Sequence, residues 1–102
     1  MKKILALAAL TTFALTAAAD DTGALYKSKC AMCHGATGAG DTPMGKKLAL
    51  KPFASPEVQK NSDAKLLEAI AKGRGKMPSF GAKLSDEQMK LLVAMVRGFA
   101  KK

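Results

Sequence analysis

Hydrophobic residues recur at helical spacing through the second half of the chain. In the segment DAKLLEAIAK, residues 63–72, Leu66, Leu67 and Ile70 fall on one stripe of a helix. The last segment repeats this pattern over a longer stretch, with apolar positions at Met89, Leu92, Val93, Val96 and Phe99. No stretch alternates apolar and polar residues in the way that a half-buried strand does. The pattern therefore predicts an all-α protein.

Capping residues mark the starts of the predicted helices. Ser85 followed three residues later by Gln88 forms a capping box, and Ser55 followed by a proline suits the start of a short helix. The predicted starts, in chain order, are Thr22 or Asp21, Ser55, Ser62 or Asn61, and Ser85. Two segments that contain glycine and proline, 35–50 and 73–84, are predicted as loops. Loops of this length in a small domain need something to wrap around.

Residues 1–19 are typical of a secretory signal peptide. Two lysines precede an uncharged run of 16 residues, 4–19, which ends in the small-x-small cleavage pattern of Ala17 and Ala19. A retained membrane anchor is the alternative, but the run is shorter than the roughly 18 to 20 residues that a spanning helix needs. Cleavage after Ala19 leaves one domain, residues 20–102, of 83 residues. We expect that domain in the periplasm, without stable membrane insertion.

The chain is strongly basic. Its formal net charge is +9, and loss of a signal that holds two lysines and no acid leaves +7. Such a charge suits acidic proteins, anionic membranes or nucleic acid. Nucleic acid does not fit an exported protein, and the basic residues are spread along the chain rather than gathered in one tail. Lysines placed only for solubility are the alternative.

A core this small also needs reinforcement by disulfides, a metal or a cofactor.

Both cysteines and the single histidine lie within CAMCHG, residues 30–35. Structural zinc needs four ligands, and here three are available, two of them adjacent in sequence. A redox-active disulfide belongs on a βαβ pattern, and no strand is predicted. Covalent haem attachment is the third interpretation and the favoured one. Cys30 and Cys33 lie on one helical turn and can form thioethers with two vinyl groups, and His34 is then directed under the ring to bind iron.

A methionine is the predicted second axial ligand of this haem c. Met77 lies in the second loop, 43 residues after His34. Pro78 biases Met77 toward an extended conformation, which suits a side chain that reaches a ring from a loop. The other methionines of residues 20–102 are close to His34 in sequence, as Met32 and Met44 are, or on the apolar face of the last helix, as Met89 and Met95 are. Met44 or an open sixth position remains the alternative.

A histidine and a methionine on opposite faces leave the iron no free position for a substrate. The thioether ligand favours Fe(II) and raises the reduction potential relative to two histidines. The sequence therefore predicts an electron-transfer protein and not an enzyme. Two alternatives stay open. One is a haem-based sensor or small-ligand binder with a displaceable sixth ligand, and the other is a haem subunit of a larger oxidoreductase complex.

With these residues identified, the sequence resembles the class I c-type cytochromes, the small single-haem bacterial kind, over essentially all of residues 20–102. The resemblance rests on GALYKSKCAMCHG at 23–35, GRGKMPSFGAKLSDEQ at 73–88 and the amphipathic last helix. It implies a small fold of about four helices around one covalently attached haem. Relatives usually carry an aromatic residue where this chain has Met95, so aromatic stacking is lost there, although methionine fills irregular gaps well.

Two further expectations come from the resemblance alone. The first and last helices should cross near Gly23, so that Leu25 and Tyr26 pack against the last helix. A loop proline carbonyl should accept a hydrogen bond from His34 Nδ1–H, and Pro43 matches that position. Such a bond orients the ring of the axial ligand and raises its basicity.

Basic residues flank the predicted haem site. They lie in or beside the attachment turn and the two loops: Lys27, Lys29, Lys46, Lys47, Lys72, Arg74, Lys76 and Lys83. We expect a monomer whose lysine-rich haem edge docks acidic redox partners of a respiratory chain, such as an oxidase, a reductase or another cytochrome. Electrostatic steering of this kind raises association rates and weakens with salt.

Overall fold

The computed structural model describes residues 21–100, and the predicted signal peptide, 1–19, lies outside them. Six helical segments follow one another along this part of the chain: α1 over residues 21–29, α2 Ala31–His34, α3 Pro43–Lys47, α4 Pro56–Gln59, α5 Asp63–Lys72 and α6 Asp86–Phe99. Residues 21–100 contain no strand, and one isolated antiparallel bridge joins Arg74 to Met77. The predicted all-α class is confirmed.

Serine side chains cap the three later helices, as predicted. Ser85 and Gln88 form the capping box of α6, with Ser85 N donating to Gln88 Oε1 at 2.8 Å and Gln88 N donating to Ser85 Oγ at 3.1 Å. Ser62 Oγ accepts a hydrogen bond from the Lys65 amide, so Ser62 and not Asn61 caps α5. Ser55 caps α4 in the same way. The caps satisfy amides that the first helical turn leaves without partners.

The prediction of an unbroken loop over residues 35–50 is wrong, because helix α3 lies within it. Thr42 caps this helix by accepting a hydrogen bond from the Gly45 amide at 2.9 Å, and Pro43 occupies its first turn. The Thr42 hydroxyl also donates to the Cys33 carbonyl at 2.8 Å, which ties α3 to α2. A threonine followed by proline is a helix start, and the surrounding glycines obscured it.

One cluster of buried side chains forms the centre of the core. It contains Tyr26 of α1, Phe80 and Leu84 of the segment before α6, and Met89, Leu92 and Phe99 of α6. All five apolar positions predicted for the inner face of the last helix are buried. Leu67 and Ile70 of α5 pack against this cluster, and Met95 does so as well. The contact at Met95 is therefore kept without an aromatic ring.

Helix α1 packs against α6 through Leu25 and Tyr26, as the resemblance implied. The rings of Tyr26 and Phe99 lie 5.3 Å apart, and Leu25 packs against the core cluster. A Cβ added to Gly23 would meet no described atom within 4 Å. The large side chains of α1 therefore make the contact with α6, and the crossing of the two helices near Gly23 stays a prediction.

Arg97 of α6 binds the connection between α4 and α5. Its Nη1 donates to the Gln59 carbonyl at 2.9 Å and its Nη2 to the Asn61 carbonyl at 2.6 Å. Its Nε donates to Asp63 Oδ1 at 2.9 Å. One planar guanidinium therefore joins residues 59, 61 and 63 to the last helix. Among the helices of residues 21–100, none has the length and hydrophobicity needed to cross a membrane.

Candidate functional site

The two cysteines and the histidine lie on one continuous helical turn. The Cys30 amide donates to the Tyr26 carbonyl at 2.8 Å, and the His34 amide donates to the Cys30 carbonyl at 3.0 Å. Hydrogen bonding therefore runs from α1 through Cys30 into α2. Gly35, at φ 86°, ends the turn in a conformation that favours glycine. Both thiols are half-buried and not joined in a disulfide.

Burial changes the acidity of the site. It raises the pKa of the Cys30 thiol, and the neighbouring Cys33 raises it further. Burial also lowers the pKa of His34, so its imidazole is neutral at neutral pH. The neutral imidazole is the form that binds a metal. The turn thus offers a protonated thiol at Cys30 and a neutral imidazole at His34.

The hydrogen bond expected from His34 Nδ1 to the Pro43 carbonyl is absent. Nδ1 is buried and has no hydrogen-bond partner among residues 21–100. Pro43 is the first residue of α3, and carbonyls at the start of a helix point along the helix toward its own amides. A buried nitrogen without a partner is costly. The imidazole therefore lacks the hydrogen bond that usually orients the ring of an axial ligand, and Nε2 is the nitrogen left to bind iron.

An aromatic ring lies against the histidine, and sequence analysis missed it. Phe53 stacks on His34 with ring centroids 4.5 Å apart, and it also stacks on Phe99 with ring centroids 6.0 Å apart. Gly38, at φ 72°, makes room for this column, since a Cβ there would lie 2.5 Å from the Phe53 ring. The one hint in the sequence that this residue belongs to the site is its position. It follows Pro52 in a segment that has no other aromatic residue.

Met77 occupies a loop that hydrogen bonds hold in place. Its amide donates to the Arg74 carbonyl at 2.8 Å, and the Arg74 amide donates back to the Met77 carbonyl at 3.2 Å. The amides of Phe80 and Gly81 attach the following residues to the end of α5. The side chain of Met77 is half-buried and packs against the core cluster, as Cys30 does.

The other methionines of residues 21–100 are less suited to bind a group in the core. Met32 is 76% exposed and Met44 is 43% exposed, so both thioethers face solvent. Met89 is a buried member of the core cluster, and Met95 packs against that cluster, as predicted for the inner face of α6. Of the five candidates, Met77 alone combines a loop position with partial burial.

Tyr26 fixes the end of the attachment turn. Its hydroxyl donates to the Gly35 carbonyl at 2.6 Å in a buried bond. Burial raises the pKa of Tyr26 to about 12, with a further contribution from Cys30. The residue after His34 is therefore attached to α1 by a hydrogen bond that persists through the neutral range.

Within residues 21–100, no three His, Cys, Asp or Glu side chains converge in a way that could hold a metal ion, so the donor set of structural zinc is not assembled there.

Comparisons with known proteins agree with this geometry. The family model described as cytochrome c oxidase, cbb3-type, subunit III, matches residues 17–96. Cytochrome c6 of Synechococcus sp. is 33% identical over 94% of this chain and 91% of its own length. Cytochrome c6 of Thermosynechococcus vestitus is 31% identical over 88% of this chain and 78% of its own length. The solved structure of the KustC0563 c-type cytochrome superposes with a TM-score of 0.70 at 40% identity, over 76% of this chain and 95% of that one.

A helical domain with two thiols and a histidine on one turn is the arrangement of a protein that carries a covalent haem. The chain belongs to the small class I c-type cytochromes. Within that class it is an electron carrier related to cytochrome c6, and its cofactor is a c-type haem.

Proposed function

We propose that this protein shuttles single electrons between respiratory redox partners in the periplasm, with its haem attached through Cys30 and Cys33 and its iron bound by His34 and Met77. The observation that carries the proposal is the turn 30–34, which presents both thiols and a half-buried imidazole whose pKa is lowered by burial, so that it is neutral. Export rests on residues 1–19, whose pattern is that of a signal peptide.

The haem would supply one-electron exchange between Fe(III) and Fe(II). The residues of this chain would hold the haem and leave its iron no position for a substrate. The cysteines retain the group covalently, and the neutral His34 provides one axial nitrogen. The hydrogen-bonded loop 74–77 presents a thioether from a separate segment of the chain. With both axial positions taken by side chains, no substrate reaches the metal, so we propose a carrier rather than an enzyme.

Replacement of Met77 by alanine is the experiment that tests this function. We expect the reduced wild-type holo protein to bind no CO, because Met77 fills the sixth position. Met77→Ala should bind CO and should lose the red-region absorption band of methionine-ligated ferric haem. Its reduction potential should also fall, because the soft ligand is gone. The measurements are absorption spectra with and without CO and a redox titration.

Met44→Ala is the matched control, since Met44 is an exposed methionine in helix α3. It should behave as the wild type does. If the reduced wild type bound CO readily, a sensor or small-ligand binder would be the better interpretation. If Met44→Ala and not Met77→Ala opened the site, Met44 would be the ligand.

We further propose that the haem edge docks acidic redox proteins. The eight basic residues predicted to flank the site are all exposed, and the two ion pairs found in residues 21–100 involve none of them. Lys46 lies on α3, which packs against the attachment turn, and Lys76 adjoins Met77. Glu57, Asp63 and Glu68 lie on α4 and α5 instead. Asp86 and Glu87 begin α6 and Asp21 lies on α1, so Asp41, beside Gly35, is the one acid of residues 21–100 next to the attachment turn. This distribution favours one basic face.

A pair of matched charge variants tests the docking face. Lys46→Gln with Lys76→Gln should slow electron transfer to a strongly acidic redox protein severalfold at low salt. Lys60→Gln with Lys65→Gln removes the same charge from exposed positions at the end of α4 and on α5, outside the eight residues of the proposed docking face, and should change the rate little. The difference should disappear near 1 M salt, where the Debye length is about 3 Å. Stopped-flow rates that fall equally for both pairs would indicate lysines placed only for solubility.

A further inference from the structure

The side-chain amide of Gln59, at the end of α4, has a fully defined set of partners. Its Nε2 donates to the Phe53 carbonyl at 2.6 Å and to the Val96 carbonyl at 3.2 Å. Its Oε1 accepts a hydrogen bond from Arg97 Nη1 at 3.3 Å. Carbonyls only accept and a guanidinium only donates, so the amide can face in one direction alone. Arg97 therefore orients Gln59 toward Phe53.

Phe53 is held at both ends of its peptide unit. Its amide donates to the Gly38 carbonyl at 2.8 Å, and its carbonyl accepts the hydrogen bond from Gln59. The ring projects between His34 and Phe99. Gly38 closes the space behind it, since even a Cβ there would collide with the ring. The position of this ring is therefore set by its backbone contacts.

The imidazole of His34 has little else to orient it. Its Nδ1 has no hydrogen-bond partner among the described residues, whereas axial histidines are usually oriented by a hydrogen bond to the second ring nitrogen. The stacked ring of Phe53, 4.5 Å away, covers one face of the imidazole. Apolar cover of this kind also excludes water, which otherwise stabilises the more highly charged ferric state.

We infer that Gln59 is a positioning residue for the axial ligand, acting through Phe53. By holding the Phe53 carbonyl, Gln59 keeps the aromatic ring on the face of His34, which fixes the orientation of the imidazole and keeps water from it. The inference rests on the proposed function, because it takes His34 as the axial ligand. Gln59 lies at the end of α4, outside the haem-binding motif. The inference is that it nevertheless affects the reduction potential and the electronic structure of the haem.

Asn61 provides a matched control two residues away. Its amide also donates to two backbone carbonyls, those of Glu57 and Val58, both at 3.1 Å. Those carbonyls belong to α4 itself and not to Phe53. Gln59→Met and Asn61→Leu each replace an amide by an apolar side chain of similar size and change no charge. Only Gln59→Met loses a hydrogen bond to the backbone of Phe53, and it also loses those to Val96 and Arg97, so the variants of Phe53 described below test the ring directly.

The experiment measures the reduction potential and the paramagnetically shifted haem-methyl NMR signals of each purified holo protein, because those signals report the orientation of the axial imidazole. For Gln59→Met we expect the ratio of reduced to oxidised protein at a fixed potential to fall about threefold, roughly 28 mV at 59 mV per decade. The range of chemical shifts covered by the haem-methyl signals should also change. Asn61→Leu should leave the potential and the signals as in the wild type.

Two variants of Phe53 keep the inference testable if Gln59→Met does not fold. Phe53→Tyr retains a flat ring and should keep the wild-type potential and methyl signals, whereas Phe53→Leu should shift both in the direction of Gln59→Met. Equal results for the tyrosine and leucine variants, or an unshifted Gln59→Met protein, would overturn the inference while leaving His34 as the ligand. A wild-type chain that carries no haem would instead overturn the proposed function.

Discussion

Replacement of both cysteines, Cys30→Ala with Cys33→Ala, is expected to abolish haem attachment and most of the cooperative fold. The described residues bury only eight hydrophobic side chains to below about a tenth of their exposed area, and a chain of this size gains little stability from such a core. A haem adds a large apolar surface at the centre. Without it, the helices lose the group around which the loops fold.

Intact mass and circular dichroism measure this effect. The wild-type protein recovered from the periplasm should have the mass of residues 20–102 plus one haem and should melt cooperatively, whereas the double variant should have no added mass and little helicity. Met32→Ala alters the same motif at a position that is 76% exposed and should leave mass and melting intact. Native-like helicity and a cooperative melt in the double variant would show that the polypeptide core is sufficient.

Replacement of Arg97 by methionine is expected to lower the free energy of unfolding by about 2–4 kcal/mol, because each hydrogen bond from a charged group contributes about 1.5–3 kcal/mol. Two of its partners are the backbone carbonyls of Gln59 and Asn61, which lose their donor in the variant. The ion pair with Asp63 adds little, because that carboxylate is 78% exposed and exposed pairs contribute about 0–1 kcal/mol. Urea denaturation of the holo protein measures the change.

Two further substitutions separate the ion pair from the carbonyl contacts. Asp63→Asn removes only the ion pair and should cost less than about 1 kcal/mol. Arg97→Lys keeps the positive charge but not the planar fork that reaches three partners, so its effect should resemble that of Arg97→Met. A cost for Asp63→Asn as large as that for Arg97→Met would mean that the ion pair, and not the backbone contacts, anchors α6.

The features that could be predicted are those that adjacent residues determine. The capping box of Ser85 and Gln88 needs only a spacing of three residues, and the inner face of α6 needs only helical periodicity. The attachment turn is also local, because Cys30, Cys33 and His34 lie within one turn whatever the rest of the chain does. Membership of the cytochrome c class followed from that turn and was confirmed by the comparisons.

The features that could not be predicted depend on contacts between distant segments. Gln59 and Arg97 are 38 positions apart, and nothing in either neighbourhood shows that one would bind the other. Phe53 has no periodic pattern around it that would place its ring against His34. The expectations for Pro43 and Gly23 came from the resemblance and not from local chemistry. The expectation for Pro43 depended on backbone geometry that helix α3 replaces in this chain.

An order of assembly follows from the compactness of the attachment turn. Residues 30–34 are bonded to one another and to α1 by helical hydrogen bonds, so a nascent or unfolded chain can present them without closing any long loop. Met77 reaches the site only after more than 40 intervening residues are in place, and that closure costs entropy. We therefore expect the enzymes that install the prosthetic group to act on an open polypeptide, with the methionine segment as the last part to settle.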